Sequence, residues 1–354
     1  MAIAVSVARP SVRPSARRKV LSLGLRLAVS AGLLVVLWVR LPAIDIDTLI
    51  PQWSLGNIGL LGLGVLLLLT SYAFGAARWH HMLHLMGIRT ERGRVLRHTL
   101  AGQFVSVVLP GSVGGDVLRA RRLAGEVGDG SGVAASVALE RLTGWAVLPL
   151  FTVIGFAINA GLRHVGRASH LALLVALVTW GLLGLLMFAG GHRALGQRFG
   201  TAAQGWRRAV GTMHLGIASL RSQPREGLEV FLAGALHSLM QIAAAYMAAR
   251  VLGIDEVGPT ALLVFYPAVG ILQVLPIAVG GLGVREWALA LFLSPLGVPT
   301  ERAVALGLLL YALTVATSLS GAPAFALGIR KAKTPEPELN EPELNEHPEL
   351  NVPA

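Results

Sequence analysis

The stretch VLPGSVGGDVLRA, Val108–Ala120, decides how this chain is to be read, because it returns as VLPIAVGGLGVRE, Val274–Glu286. Aligned without a gap, both read V-L-P-x-x-V-G-G-x-x-x-R. Each copy lies in an apolar run, 95–118 and 259–293, and puts a proline and a glycine pair where a helix would otherwise continue. Proline removes an N–H and collides with the preceding turn, and glycine weakens the turn further. In lipid the freed N–H and C=O groups must be covered by protein or face a wet cavity. Pro110, Gly114, Gly115, Pro276, Gly280, Gly281 and Gly283 therefore predict a polar cavity at membrane depth. The competing reading is packing, since small residues also let membrane helices approach closely. Identical register and a shared arginine favour a functional pair.

The rest of the composition agrees that lipid is the main solvent. The 354 residues are 54% hydrophobic and 14% charged, against about 25% charged in soluble domains, and the mean hydropathy is +0.66. Cysteine is absent, which excludes disulfides and cysteine-ligated metals. The net charge of +11 would suit nucleic acid in a soluble protein. In a membrane protein it reads as basic cytoplasmic loops, and no nucleic-acid partner is expected.

Apolar runs predict full crossings near 20–40, 55–77, 133–158, 169–190, 228–250 and 302–327. Arginines cluster before the first crossing (Arg9, Arg13, Arg17, Arg18), after the second (Arg78, Arg89, Arg92, Arg94, Arg97), after the first phrase (Arg119, Arg121, Arg122) and in 191–227. Arg330 follows the last crossing. The positive-inside rule then places both termini in the cytoplasm of a bacterial inner-membrane protein. That arrangement requires both broken stretches to be re-entrant hairpins. The expected fold is all-α and polytopic, with about six full crossings and two hairpins, eight membrane segments in all. Three crossings separate the hairpins, so the halves, about 55–190 and 228–327, form an inverted repeat. Eight full crossings are the alternative, since hydropathy does not separate a hairpin from a short span.

Residues 1–19 are a basic cytoplasmic segment and 20–330 the membrane domain. SARRKVLSLGLRLAVSAGLLVVLW, Ser15–Trp38, has the basic head of a cleaved signal, but its length favours a first crossing. Residues 331–354 repeat Pro-Glu-Leu-Asn three times, an acidic, proline-rich tail that is expected to be disordered.

After the glycines a helix should restart, offering unpaired N–H groups and a partial positive charge to an anion. Asp116 is a plausible N-cap for the first restart. Arg119 and Arg285 lie about one turn further on, where a guanidinium fork can hold a phosphate. Glu140 and Arg141 fall inside the third crossing, and Glu286 follows Arg285. Ionisable groups at such depth are costly and mark pathways, although a structural ion pair would leave the same trace. Glu140 is expected to pair with Arg119 or Arg285, and Arg141 with Asp116 or a substrate. The candidate binding set is Asp116, Arg119, Glu140, Arg141, Arg285 and Glu286. His237 and Gln241 share one helix face and read as interhelical hydrogen-bonding groups. His80 and His84 have a metal-ligand spacing, but an interfacial turn explains them better, and no metal or other cofactor is expected. No phosphate loop, G-x-S-x-G or H-E-x-x-H is present, so the chain is not expected to be an enzyme.

GQFVSVVLPGSVGGDVLRARRL (Gly102–Leu123), ASVALERLTGWAVL (Ala135–Leu148) and VLPIAVGGLGVREWAL (Val274–Leu289) together resemble the lysylphosphatidylglycerol synthase transmembrane-region, or flippase-like, family. The resemblance covers about 20–330. It implies a role in moving a lipid with an anionic or modified head, such as an aminoacylated phospholipid or a lipid-linked sugar, between leaflets. The carried residues are Pro110, Gly114, Gly115, Asp116, Arg119, Glu140, Arg141, Pro276, Gly280, Gly281, Gly283 and Glu286. Bifunctional members add a soluble aminoacyl-transferase domain that this sequence does not show, so the family's "synthase" does not carry over as an activity. The alternative is a membrane partner of a separately encoded glycosyl- or aminoacyl-transferase, or an intramembrane transferase acting on a lipid carrier.

Overall fold

Helices begin and end here where local chemistry satisfies their free backbone groups. The computed structural model describes residues 54–108, 114–190, 205–274 and 283–330. The expected crossing at 20–40, the basic N-terminus, Pro110, Pro276, Gly280, Gly281 and the tail after Arg330 lie outside the described residues.

Helix α1, Leu55–Leu85, starts where Ser54 Oγ accepts from Asn57 N at 3.2 Å. It is followed by Gly87 at φ 79°, a conformation suited to glycine. Helices α2, Arg92–Val108, and α3, Gly114–Val127, flank the first repeated phrase. Helix α4, Gly130–Ile158, is capped by Asp129 Oδ1, which accepts from Gly132 N at 3.0 Å. Then come α5 (Arg167–Gly190), α6 (Gly205–Ser222) and α7 (Pro224–Val251). Helices α8, Pro259–Val274, and α9, Val284–Leu293, flank the second phrase. The last two are α10, Thr300–Ser318, and α11, Ala322–Arg330. No strand occurs among the described residues.

Five segments are long and apolar enough to cross a membrane: Leu55–Leu85, Gly130–Ile158, Arg167–Phe188, Pro224–Val251 and Thr300–Leu327. They coincide with five of the expected crossings, and the protein is an all-α, multi-pass membrane protein. Leu174, Leu177, Leu182, Leu185 and Phe188 of α5 are exposed, as a lipid-facing surface requires. One boundary differs from the sequence reading. The second crossing does not stop at 77 but continues to Leu85, so Arg78, His80 and His84 are helical rather than in a loop. A charge ends an apolar run in sequence; it does not end a helix when a carboxylate waits beside it.

The helices flanking each broken stretch have their outer ends together. Trp79 and Leu83 near the end of α1 pack with Val95 at the start of α2, Leu123 near the end of α3 and Val133 at the start of α4. At the other end, Ala261 and Leu262 of α8 pack with Phe292 and Leu293 of α9, Ala248 and Ala249 of α7 and Ala303 of α10. The Phe265 and Phe292 rings stack there, 5.8 Å apart. The α2–α3 hairpin thus stands at the end where α1 finishes, and the α8–α9 hairpin at the end where α7 finishes. The element order long-short-short-long recurs as α1–α2–α3–α4 and α7–α8–α9–α10. The contacts are reciprocal too: α4 packs on α8 of the other half, α10 packs on α2, and α1 lies along α7.

Two interior prolines, Pro149 in α4 and Pro267 in α8, disturb the helical ladder. A nearby carbonyl in each case takes a side-chain donor: Ala146 O from Trp180 Nε1 at 2.9 Å, Val264 O from Thr152 Oγ1 at 2.9 Å. Where α6 crosses the bundle end, Ile217 is buried with Met82, Leu139 and Val230, tying α1, α4 and α7 together.

Candidate functional site

The α2–α3 hairpin closes on two glycines. A Cβ on Gly115 would stand 2.1 Å from the Gly102 carbonyl oxygen, and one on Gly102 would stand 2.9 Å from that of Gly115. This close approach turns α3 so that Asp116 and Arg119 face α1 and α4.

Five ionisable groups meet there. Arg119 Nη2 donates to Glu140 Oε2 at 2.7 Å, and Arg119 Nε donates to Asp116 Oδ1 at 3.0 Å. Arg78 Nε donates to Glu140 Oε1 at 2.7 Å, and its Nη2 reaches the same oxygen. Arg141 Nε pairs with Asp116 Oδ2. Glu140 is 3% exposed, Arg119 7% and Arg78 8%, so the arrangement is buried and its charges are strongly felt. The Arg119 guanidinium also lies 4.5 Å over the Trp79 ring, whose Nε1 donates to Ser136 Oγ at 3.0 Å. Among the described residues three guanidinium groups face two carboxylates, one positive charge in excess.

The cluster forms one wall of a cavity of about 250 Å3. Arg78, Asp116, Arg119, Glu140 and Arg141 line it, with Thr99, Gln103 and Ser106 of α2, Trp145 of α4, His237, Ser238 and Gln241 of α7, and Tyr266 and Gly270 of α8. His237 lies at the midpoint of α7, so the cavity extends to the middle of the helices around it. Pockets that bury a drug-sized ligand run to roughly 300–1,000 Å3; this one has room for a lipid head group and not for acyl chains.

Most sequence-predicted residues gather here. Glu140 takes Arg119 as its partner, and Arg141 takes Asp116. Asp116 does not cap α3: the helix is described from Gly114, so Asp116 lies within the first turn and its carboxylate serves two arginines. His237 Nδ1 donates to the Ser71 carbonyl of α1 at 2.7 Å, and Gln241 Nε2 lies 3.3 Å from His237 Nε2. His237 thus bonds across helices, Gln241 bonds His237 within α7, and both line the cavity.

Arg285 and Glu286 stand apart. They are not among the lining residues, and they pair with each other through Glu286 Oε1, 3.2 Å from Arg285 Nη2. Two neighbours on one helix can pair here because Glu286 lies in the first turn of α9. There its Oε2 accepts from Gly283 N at 2.6 Å while Oε1 remains for the arginine. Gly283 has φ 84°, which only glycine adopts readily. The Arg285 guanidinium lies 5.4 Å from the Tyr311 ring centre, and Glu286 fills the space over Gly307 of α10. The two arginines are aligned in sequence but differ in register: Arg285 is the second residue of α9, whereas Arg119 lies at least five residues into α3.

Arg78 is the residue the sequence reading placed wrongly, as a charge beyond the end of the second crossing. Its signal was the glycine around it. A Cβ on Gly144 would meet Arg78 Nη1 at 2.4 Å, and one on Gly234 would meet its Cδ at 3.2 Å. We expect Gly144→Ala to displace this guanidinium from Glu140 and lower the thermal stability of the purified protein by about 1–3 kcal/mol. Gly59→Ala, with nothing within 4 Å of the new methyl, should leave stability unchanged.

His80 Nε2 faces the Thr90 carbonyl at 3.1 Å, and its ring lies 4.7 Å from that of His84. His81 instead meets Glu229 at 2.9 Å, beside Glu226, and links α1 to α7.

No curated protein matches the chain. The family model for the lysylphosphatidylglycerol synthase transmembrane region matches residues 23–321. This span contains both glycine-broken phrases, all five clustered charges and the Arg285–Glu286 pair, and the chain belongs to that family.

Proposed function

We propose that this membrane protein, related by family to lipid modification or translocation, moves a lipid with an anionic or modified polar head between the leaflets. The single observation that carries this reading is the buried cavity with one positive charge in excess. Such a charge is costly inside a bilayer, and an anionic head group would neutralise it. The head would occupy the cavity while the acyl chains stay in lipid. Arg119 and Arg141 bind the phosphate, Asp116 and Glu140 hold those arginines in place, and Arg285 with Glu286 fixes the second hairpin. The action is proposed as transport without covalent chemistry, in a bacterial inner membrane with the arginine-rich end of the bundle facing the cytoplasm.

The test is leaflet-specific quenching of fluorescent phospholipids in proteoliposomes. Arg119→Ala is expected to cut the protein-dependent movement of phosphatidylglycerol at least about tenfold, the loss of roughly one charge-assisted contact. Normal movement by an Arg119→Ala, Arg141→Ala double variant would refute the site assignment.

A further inference from the structure

Resting on that reading, the cavity's inventory goes further than the family does: it distinguishes among head groups by charge. Every acidic oxygen that faces the cavity already has a cation. Glu140 Oε1 serves Arg78, Glu140 Oε2 and Asp116 Oδ1 serve Arg119, and Asp116 Oδ2 serves Arg141. Asp116 and Glu140 are the only acidic residues that line it among those described. The segments 109–113 and 275–282, at the two breaks, contain no ionisable side chain. An ammonium group entering the cavity would meet a net positive wall whose carboxylate oxygens are each already engaged by a guanidinium. A phosphate would meet the surplus charge.

The α2 side of the cavity says what the rest of the head should be. Thr99, Gln103 and Ser106 recur at helical spacing along α2 and line the cavity as two hydroxyls and an amide. Thr99 is 5% exposed, and its Oγ1 has no hydrogen-bond partner. Buried hydroxyls are ordinarily satisfied, so an unpaired one beside a cavity points to a ligand that completes it. Ser238 and Gln241 extend the uncharged polar surface on α7.

We propose that the cavity selects a phosphodiester head whose far end is hydroxylated and uncharged, of the glycerol or sugar type, and turns away the same head once a cationic aminoacyl group is attached. Thr99 is the hydroxyl contact, and the arginine cluster the phosphate contact.

Two measurements on the full-length protein separate this from the translocase reading. The first is the binding of short-chain phosphatidylglycerol and of its lysyl ester in detergent, read as the shift in unfolding temperature. Phosphatidylglycerol is expected to bind about tenfold more tightly or better. Equal or tighter binding of the lysyl ester, or no binding of either, overturns the selectivity. The second is transport of the two fluorescent lipids in phosphatidylcholine vesicles. If phosphatidylglycerol binds selectively but neither lipid moves, the translocase reading falls and the selectivity stands. If the lysyl ester moves as fast as phosphatidylglycerol, the selectivity falls and the translocase reading stands. Thr99→Val keeps the side chain's shape and removes a hydroxyl that bonds nothing in the fold, so the unliganded unfolding temperature should not change. Binding of phosphatidylglycerol should weaken by about threefold to tenfold. Unchanged binding by Thr99→Val would remove the hydroxyl contact from the proposal.

Discussion

Glu140→Ala is expected to destabilise the protein by about 3–5 kcal/mol, because it leaves two buried guanidinium groups without their shared carboxylate. Glu140 is 3% exposed and binds Arg78 through one oxygen and Arg119 through the other. The substitution therefore breaks the link among α1, α3 and α4 in one step. Thermal unfolding of the detergent-solubilised protein measures the loss. A control separates charge from volume. Arg78→Met with Glu140→Met replaces the pair by apolar side chains, and Arg119 keeps Asp116 at 3.0 Å. The double variant should lose less than the two single variants added together, since contacting residues are coupled. Additive losses would show that the pair does not hold the helices together.

Gly115→Leu is expected to be as damaging, for a different reason. The first added carbon would stand 2.1 Å from the Gly102 carbonyl oxygen and from Ser106 Oγ. The carbonyl belongs to the backbone of α2 and cannot rotate away, so the hairpin must open. Opening it withdraws Asp116 and Arg119 from Glu140 and Arg141. The expected result is loss of transport together with a fall in stability beyond the roughly 1–3 kcal/mol typical of overpacking. Gly125→Leu on the same helix meets nothing within 4 Å at the first carbon and should behave as the parent does. A Gly115→Leu variant with normal unfolding temperature and normal transport would mean that α2 and α3 do not close on each other.

The parts of this molecule legible in the sequence were those set by local physics. Twenty or so apolar residues make a crossing whatever surrounds them, so five crossings could be read directly. Proline and paired glycine interrupt a helix locally, so the breaks between α2 and α3 and between α8 and α9 were legible from the repeated phrase. The partners of Glu140 and Arg141 were partly legible, since few opposite charges exist at that depth. Arg78 was not. It lies 62 positions from Glu140 in sequence, and nothing in its own neighbourhood says that the helix continues past it. The Gly144 and Gly234 sockets that house it lie on two other helices. The second hairpin misled for the converse reason. Its sequence copies the first through the arginine, but Glu286 follows where the first copy has Ala120. That adjacent carboxylate, anchored on Gly283 N, keeps Arg285 for itself. Sequence repetition marked the break between helices and not the destination of the charge.

The absence of native cysteine allows the wetness and the net positive charge of the cavity to be probed directly. Gln103→Cys places a thiol on the α2 wall of the cavity, and Leu174→Cys places one on the exposed apolar face of α5. In the protein embedded in lipid vesicles, an anionic thiosulfonate reagent should modify Cys at 103 faster than a cationic one of similar size, and neither should modify Cys at 174. Phosphatidylglycerol should slow the reaction at 103. A thiol at 103 that neither reagent reaches, or that the cationic reagent reaches first, would contradict the account.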